Sequence, residues 1–238
     1  MNDASTTPEA TCAAGVARLL GAGRAWLVDL SGVDEAVRAA GLDAALLLPV
    51  LGVAPDGARV DVTDLPARSE ASHAKGEPLV VDVSSVGLSG CVACAHGADV
   101  AVCALDGGGV AIGLSRDALR AEVSRDIVWH LNDLPQLRLL ETDLERSCRC
   151  HRDGSDVAAV VARYLSCHPA VAAVSYPGLP ADPSFPVASR VLAHGFGPLV
   201  LYRLAVAPDA GMTMLDCAGD SQKALIEALE SRIAHTSQ

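Results

Sequence analysis

The sequence predicts an α/β fold, in which helices cover a mostly parallel sheet. Half of the 238 residues are hydrophobic but only 3% are aromatic, so the apolar content is mainly Ala, Val and Leu. This composition is typical of helices packed on a sheet. In the first half of the chain, apolar runs of strand length alternate with stretches of helical periodicity.

The predicted elements of the first half follow a lead-in, up to about Gly21, that is either flexible or helical. The strands are short apolar runs rich in Val and Leu, and Gly and Asp mark the turns between them. In order, we expect strands at 25–30, 44–51, 78–83, 99–105 and 110–114, and helices at 33–40, 62–74, 88–95 and from Asp117 toward His130.

The second half is predicted to begin with a long helix over 136–167. His168-Pro169 ends this helix, because the residue before a proline resists the helical conformation. Strands are expected at 171–176, 199–206 and 212–217, and helices at 186–194 and 222–234. We therefore predict two domains, a shortened large α/β domain over 1–135 and a linker helix with a small α+β domain over 136–238.

The charge balance excludes several classes of partner. The formal net charge is −11, and no basic run is present. Nucleic acid and anionic membranes are therefore not expected as partners. The start of the chain lacks the pattern of a signal peptide, and the longest apolar run, 44–51, is too short to span a bilayer. We expect a cytoplasmic protein.

Two residue types limit the possible chemistry. The eight cysteines are expected to be reduced thiols, and we interpret the groups Cys91 with Cys94 and Cys148 with Cys150 and His151 as free side chains rather than a zinc site. Only two lysines are present, Lys75 and Lys223. Any mechanism that depends on a lysine must use one of these two.

A motif in the second half resembles a known family. The segment His168–Pro180 reads HPAVAAVSYPGLP, and Gly195-Phe196-Gly197 follows shortly after it. This ordered string resembles the C-terminal domain of the Cys/Met-metabolism pyridoxal-phosphate enzymes, the group of cystathionine gamma-synthase, cystathionine lyase and methionine gamma-lyase. A single Tyr-Pro-Gly would carry no weight, but the whole string is specific.

A second match lies upstream, in 78–82 (PLVVD) and 97–102 (GADVAV). These segments resemble the family's strand that carries the pyridine-binding aspartate and the later strand that leads to its lysine. The resemblance covers about 22–233. It implies the pyridoxal-phosphate transferase type I fold in a reduced form, with a partial large domain and a shortened N-terminal part.

Chemistry of this family requires a lysine for the Schiff base, an acid near the pyridine nitrogen and a cradle for the phosphate. By the resemblance, the lysine position falls on Gly107 or in a deletion beside it, and both lysines of the chain read as surface residues. Asp82 corresponds to the pyridine-binding acid, and Ser84 is a second candidate for cofactor binding. Because the lysine is not found, we favour the interpretation that Asp82 caps the following turn, or is an inherited relic, over a retained role in binding the pyridine.

Two other elements of the family are not found from the sequence. The resemblance implies a Ser-Gly-Met type turn at a helix N-terminus before the matched region, and the residues ahead of Arg24 do not supply it. The arginine that clamps the substrate carboxylate falls on Thr213. We interpret the glycine-rich turn 106–109 as the replacement of an excised active-site loop.

The sequence therefore predicts a non-catalytic homologue of these carbon-sulfur lyases and transsulfuration enzymes. No cofactor and no metal are expected, pyridoxal phosphate being implied by the family only. We expect self-association, or pairing with a full-length relative. The alternative is a pyridoxal-phosphate enzyme, a carbon-sulfur lyase or transferase acting on sulfur amino acids, that uses a relocated lysine or one borrowed from a partner.

Overall fold

The computed structural model describes residues 8–121, 124–206 and 210–236. Within these ranges the chain divides into two compact units. The first unit contains the residues up to 50 and 64–148, and the second contains 51–63 and the residues from 149 onward.

The described residues form eight α-helices and ten strands, numbered along the chain. The helices are α1 (Pro8–Leu20), α2 (Val33–Ala39), α3 (Leu65–His73), α4 (Gly87–Gly90), α5 (Ser124–Asp133), α6 (Glu141–Cys167), α7 (Phe185–Val191) and α8 (Gln222–Thr236). The strands are β1 (Arg24–Val28), β2 (Leu47–Pro49), β3 (Leu51–Val53), β4 (Val60–Val62), β5 (Val80–Asp82), β6 (Val100–Ala104), β7 (Val110–Leu114), β8 (Val171–Ser175), β9 (Leu199–Leu204) and β10 (Thr213–Asp216).

The first unit is built on a five-stranded sheet in the order β1-β7-β6-β5-β2. Strands β2, β5 and β6 pair in parallel, and β7 runs antiparallel to both β6 and β1. Four of the five strands consequently point in one direction. The predicted α/β class with a mostly parallel sheet is confirmed.

Helices cover this sheet because its strands are apolar along nearly their whole length. Every residue of β7 is buried, and β6 is exposed only at Ala104. Strands of this kind need cover on both faces. Helices α2 and α5 supply part of it, with core residues that pack against those of the sheet: Ala36, Val37, Ile127 and Leu131.

The second unit contains an antiparallel sheet in the order β10-β9-β8 and the hairpin β3-β4. Its core joins the C-terminal half of α6 to α8 and to the sheet, through residues that include Ala158, Val161, Leu165, Tyr202, Leu225 and Leu229. The hairpin is held by Val60, whose N–H donates to Ser175 Oγ at 3.0 Å and whose carbonyl accepts from Ser184 Oγ at 2.8 Å.

Three predicted elements differ in detail from the structure. The run 44–51 is a 3₁₀ turn followed by β2, and the chain then enters β3 after Val50. The predicted helix 88–95 is the single turn α4 and a 3₁₀ turn at Ala93–His96, because Cys91 between them is extended. The predicted helix from Asp117 is a 3₁₀ turn at Ala118–Arg120, and α5 begins at Ser124.

None of the helices in the described ranges has both the length and the apolar character needed to cross a bilayer.

Candidate functional site

The sequence-predicted site residues of the first unit lie at the carboxyl edge of its sheet. Strands β2, β5 and β6 run in parallel and end at Pro49, Asp82 and Ala104. Ligands of open α/β sheets usually bind at this edge. The structure brings Asp82, Ser84 and the turn containing Gly107 to it.

The Asp82 carboxylate is engaged by its own turn. Its Oδ1 accepts a hydrogen bond from Ser84 N–H at 2.8 Å and a second, short one from Ser84 Oγ. Ser84 Oγ in turn accepts from Ala104 N–H, at 2.8 Å. This arrangement ties the end of β5 to the end of β6, as expected of an acid that caps the following turn.

Gly107 lies in the turn that joins β6 to β7. Leu105 N–H donates to Gly109 O at 3.0 Å, and Gly108 N–H donates to Leu105 O at 2.9 Å. Gly108 and Gly109 have φ values of +89° and +86°, which favour glycine, whereas Gly107 does not require this conformation. Gly107 is exposed, and a Cβ there would meet no atom within 4 Å.

A cavity of about 160 Å³ adjoins this turn. Its walls are formed by residues 105–108, by 137–139 and by the first turns of α6. Asp82 and Ser84 are not among the lining residues. Ligand sites usually measure roughly 300–1,000 Å³, so this cavity is small for a cofactor.

The two lysines lie in different units, and both are at the protein surface. Lys75 is exposed and follows α3, ahead of the start of β5, which places it at the amino edge. Lys223 lies in the second unit, where its ammonium is 3.8 Å from Glu227 Oε1 on the surface of α8.

A Ser-Gly turn precedes α2, directly after β1. Ser31 and Gly32 were missed from the sequence, because the turn implied by the resemblance was expected ahead of Arg24. Ser31 Oγ donates to Glu35 Oε2 at 2.8 Å, and the first turn of α2 carries two carboxylates, Asp34 and Glu35. These acids complement the positive end of the helix themselves, and their charge repels a phosphate.

The Tyr-Pro-Gly motif of the second unit serves packing. Tyr176 is 1% exposed, its hydroxyl donates to Ser155 O at 3.2 Å, and burial raises its pKa to about 12. Gly178 lies against the rings of Tyr176 and Phe196, and a Cβ there would be 2.8 Å from Phe196 Cδ2. The Gly-Phe-Gly segment is held by Phe196 N–H, which donates to Ser155 Oγ at 2.8 Å.

Asp182 follows this motif and was missed from the sequence. It is 7% exposed and accepts three hydrogen bonds, from Ser175 Oγ at 2.7 Å, Tyr176 N–H at 2.9 Å and Ser184 N–H at 2.8 Å. Its position two residues before Ser184, in a proline-rich turn, is the signal that could have revealed an Asx-type cap.

The remaining candidates have no catalytic geometry. His168 holds the end of α6, since its Nδ1 accepts from Ala170 N–H at 3.2 Å and its Nε2 lies 3.3 Å from Glu230 Oε1. Thr213 begins β10 opposite Tyr202. Its single hydroxyl cannot form the paired hydrogen bonds that an arginine offers to a carboxylate.

Three thiols of the first unit are held in the protonated form by burial. Burial raises the pKa of Cys91 and of Cys94 to about 12, and it also raises the pKa of Cys103. Thiols held protonated in this way are poor nucleophiles and poor metal ligands. Among the described residues, no group of three or more His, Cys, Asp or Glu side chains is arranged to hold a metal ion.

The fold and the carboxyl-edge site define a class, the pyridoxal-phosphate transferase type I fold. Cystathionine gamma synthase from Xanthomonas oryzae pv. oryzae, solved in complex with cystathionine, superimposes with a TM-score of 0.71 at 17% identity, over 94% of this chain and 84% of that one. The apo methionine gamma lyase from Micromonospora echinospora gives a TM-score of 0.67 at 18% identity, over 92% and 83% of the two chains.

A curated relative supports the same group from the sequence. The chain is 38% identical over 86 residues to cystathionine gamma-synthase of Mycobacterium tuberculosis. That match covers 35% of this chain and spans only 21%, about a fifth, of the relative. No protein-family model matches the chain. Sequence and structural neighbours agree, and the resemblance to the group of cystathionine gamma-synthase, cystathionine lyase and methionine gamma-lyase is confirmed.

Proposed function

We propose that this chain is a non-catalytic homologue of the pyridoxal-phosphate enzymes of sulfur amino acid metabolism, which acts through self-association or through a partner. The observation that carries the proposal is the position of its two lysines. Lys75 lies at the amino edge of the sheet, away from the edge that carries Asp82, so it is not placed to form a Schiff base there, and Lys223 is exposed on α8, where its ammonium is 3.8 Å from Glu227.

The other residues at the carboxyl edge do not fit pyridoxal phosphate either. The Asp82 Oδ1 atom already accepts two hydrogen bonds from Ser84, which hold the carboxylate in its own turn. The cavity at this edge is about 160 Å³ and excludes Asp82 from its walls. The Ser31-Gly32 turn faces the carboxylates of α2. Each observation favours a structural role for these residues over a role in cofactor binding.

The proposed partner is a second copy of this chain or a full-length relative. In the first unit Trp129 and Leu140 are 64% and 63% exposed, although large apolar side chains of this kind are usually at least partly covered. Exposed apolar surface can mark a protein interaction site where it forms a patch. We propose that the interface includes Trp129.

Cofactor binding is tested by an absorbance spectrum. The purified protein is incubated with pyridoxal phosphate, dialysed and recorded from 300 to 500 nm, with borohydride trapping and peptide mapping of any adduct. We expect that no absorbance band is retained after dialysis. Borohydride should trap pyridoxal phosphate without preference for one lysine, and should do so equally in protein unfolded with urea. A one-to-one adduct on Lys75 that Lys75→Arg abolishes and Lys223→Arg leaves intact would contradict a non-catalytic role.

Self-association is tested by sedimentation velocity over a range of micromolar concentrations. We expect a dimer whose dissociation constant rises at least tenfold in Trp129→Gln. The matched control is Met214→Gln, which removes a 57% exposed apolar side chain of the second unit and should leave the dimer unchanged. A monodisperse monomer, with no co-purifying relative, would argue against the proposal.

The alternative is an enzyme that binds pyridoxal phosphate without its own lysine, or with a lysine borrowed from a partner. The retention of Asp82 at the end of β5 is the observation that favours it. The two functions differ in a visible property, because a purified complex of the second kind would be yellow. In that case the spectrum of the complex, but not of the isolated chain, would show the retained band.

A further inference from the structure

We propose that the second unit contains a binding site for a small aliphatic carboxylate, anchored by Arg203. The site is a cavity of about 550 Å³. One wall is strand β8, and the others come from Ala58 and Arg59, from the end of α6 and from the turn around Asp182. Its volume falls within the roughly 300–1,000 Å³ of typical small-molecule sites.

The anchor is an arginine with a buried and unused donor. Arg203 lies on β9 opposite Ala173 and lines the cavity. Its Nε is buried and has no hydrogen-bond partner among the residues that the structure describes. A guanidinium remains charged at any physiological pH, and a buried donor that is left unpaired is unfavourable. A carboxylate bound in the cavity would offer its two oxygens to the fork of this guanidinium.

The charges around the cavity also favour an anion. Arg59 lines the same cavity, half-exposed, with its Nε 3.6 Å from Asp61 Oδ1. The acidic residue in the lining is Asp182, whose carboxylate already accepts hydrogen bonds from Ser175, Tyr176 and Ser184. Two arginines and one aspartate therefore line the cavity, and the aspartate is held by hydrogen bonds to its own turn.

The rest of the lining sets the character of the ligand. Most of the side chains are aliphatic: Leu165, Val171, Val174, Leu179, Pro183 and Met212. A strongly hydrated ion such as phosphate gains nothing from such walls, whereas an aliphatic chain is transferred out of water on binding. The lining therefore fits a monocarboxylate with a short branched or linear hydrocarbon body.

This site is independent of the carboxyl edge of the first unit. It shares no residue with the Asp82 region, and its ligand requires neither a lysine nor a cofactor. The proposed non-catalytic role and the carboxylate site can consequently fail separately, because the spectrum tests the first and a binding titration tests the second.

The test is a titration of the full chain with 4-methylpentanoate, followed by calorimetry and by the ¹⁵N resonance of the arginine Nε–H groups. The neutral isostere 4-methylpentanamide and the shorter acetate serve as comparison ligands. We expect saturable binding of 4-methylpentanoate, at least tenfold weaker binding of both comparison ligands, and a shift of one arginine Nε–H signal that is missing in Arg203→Met.

Variants separate binding from folding. Arg203→Met should weaken binding at least tenfold, Arg59→Met about threefold, and the matched control Arg163→Met, at an exposed position on α6, should leave it unchanged. The ligand-free unfolding midpoint of Arg203→Met should not fall, since Met keeps the aliphatic packing and removes a buried donor that has no partner among the described residues. Three results would each overturn the proposal. They are equal binding of the acid and the amide, full affinity in Arg203→Met, or no binding of the acid at about 10 mM, a concentration that is high even for a single charge-assisted contact.

Discussion

Replacement of Asp182 should have a large effect on the stability of the second unit. Its carboxylate satisfies three buried donors, on Ser175, Tyr176 and Ser184, and Ser175 and Ser184 in turn hold the hairpin strand β4 through Val60. Hydrogen bonds to a charged acceptor contribute about 1.5–3 kcal/mol each, and losses within one network are not additive. We expect Asp182→Ala to lower the free energy of unfolding by about 4 kcal/mol.

Asp182→Asn distinguishes the charge from the shape of this side chain. The amide keeps one acceptor oxygen in nearly the same place but cannot accept from all three donors, so we expect a loss of about 2 kcal/mol. The matched control is Asp216→Ala. Asp216 is exposed and accepts one hydrogen bond, from Ala218 N–H at 2.9 Å, so its loss should cost about 0.5 kcal/mol.

The assay uses the distribution of chromophores. All three tyrosines fall in the second unit, whereas both tryptophans fall in the first. Urea unfolding followed by tyrosine near-ultraviolet circular dichroism therefore reports on the second unit, and tryptophan fluorescence reports on the first. A loss below about 1 kcal/mol in the tyrosine-detected transition of Asp182→Ala would refute the assigned role of this network.

Three further predictions concern other parts of the chain. Gly195→Ala should cost about 3 kcal/mol, because Gly195 has a φ of +125° and a Cβ there would overlap Ser155 Oγ, whereas Gly211→Ala, with open space, should be nearly neutral in the same urea titration. Ser84→Ala should destabilise the first unit by about 1.5 kcal/mol in tryptophan-detected unfolding, because Asp82 and Ala104 N–H both lose a partner; an unchanged midpoint would contradict the bridge. Burial raises the pKa of five thiols, which therefore stay protonated at pH 8 and should react with Ellman's reagent only after unfolding: Cys12, Cys91, Cys94, Cys103 and Cys217. Ellman's reagent should quickly label Cys150 and Cys167, which are exposed, and Cys148, which is partly exposed.

The regular elements could be predicted wherever a local pattern determines them. The apolar runs around Val81 and Val102 are strands, and the long amphipathic helix before His168-Pro169 is α6. Local patterns could not show that 51–62 forms a hairpin, because its two strands are only three residues long and depend on partners far along the chain. The domain division at 135/136 stays a prediction beside the compact units described above.

The candidate site was predictable to a different degree. The placement of Asp82 at a strand end follows from the run of apolar residues before it. The sequence also predicts that this acid caps the following turn, but it does not indicate that Ser84 is the partner. Features that depend on three-dimensional neighbours could not be predicted from the sequence. They are the acids of α2 near Ser31, the three donors around Asp182 and the Nε of Arg203, which has no partner among the described residues. None of these has a signature in residue spacing alone.

The hairpin β3-β4 has a consequence for how the chain is made. Its strand residue Val60 bonds to Ser175 and Ser184, which lie 115 and 124 positions later. At a translation rate of about 5–20 residues per second, the hairpin is synthesised roughly 6–25 s before its partners. During synthesis the residues of the first unit are therefore made while the hairpin still lacks its partners, and the second unit cannot complete its fold until the end of the chain has been made.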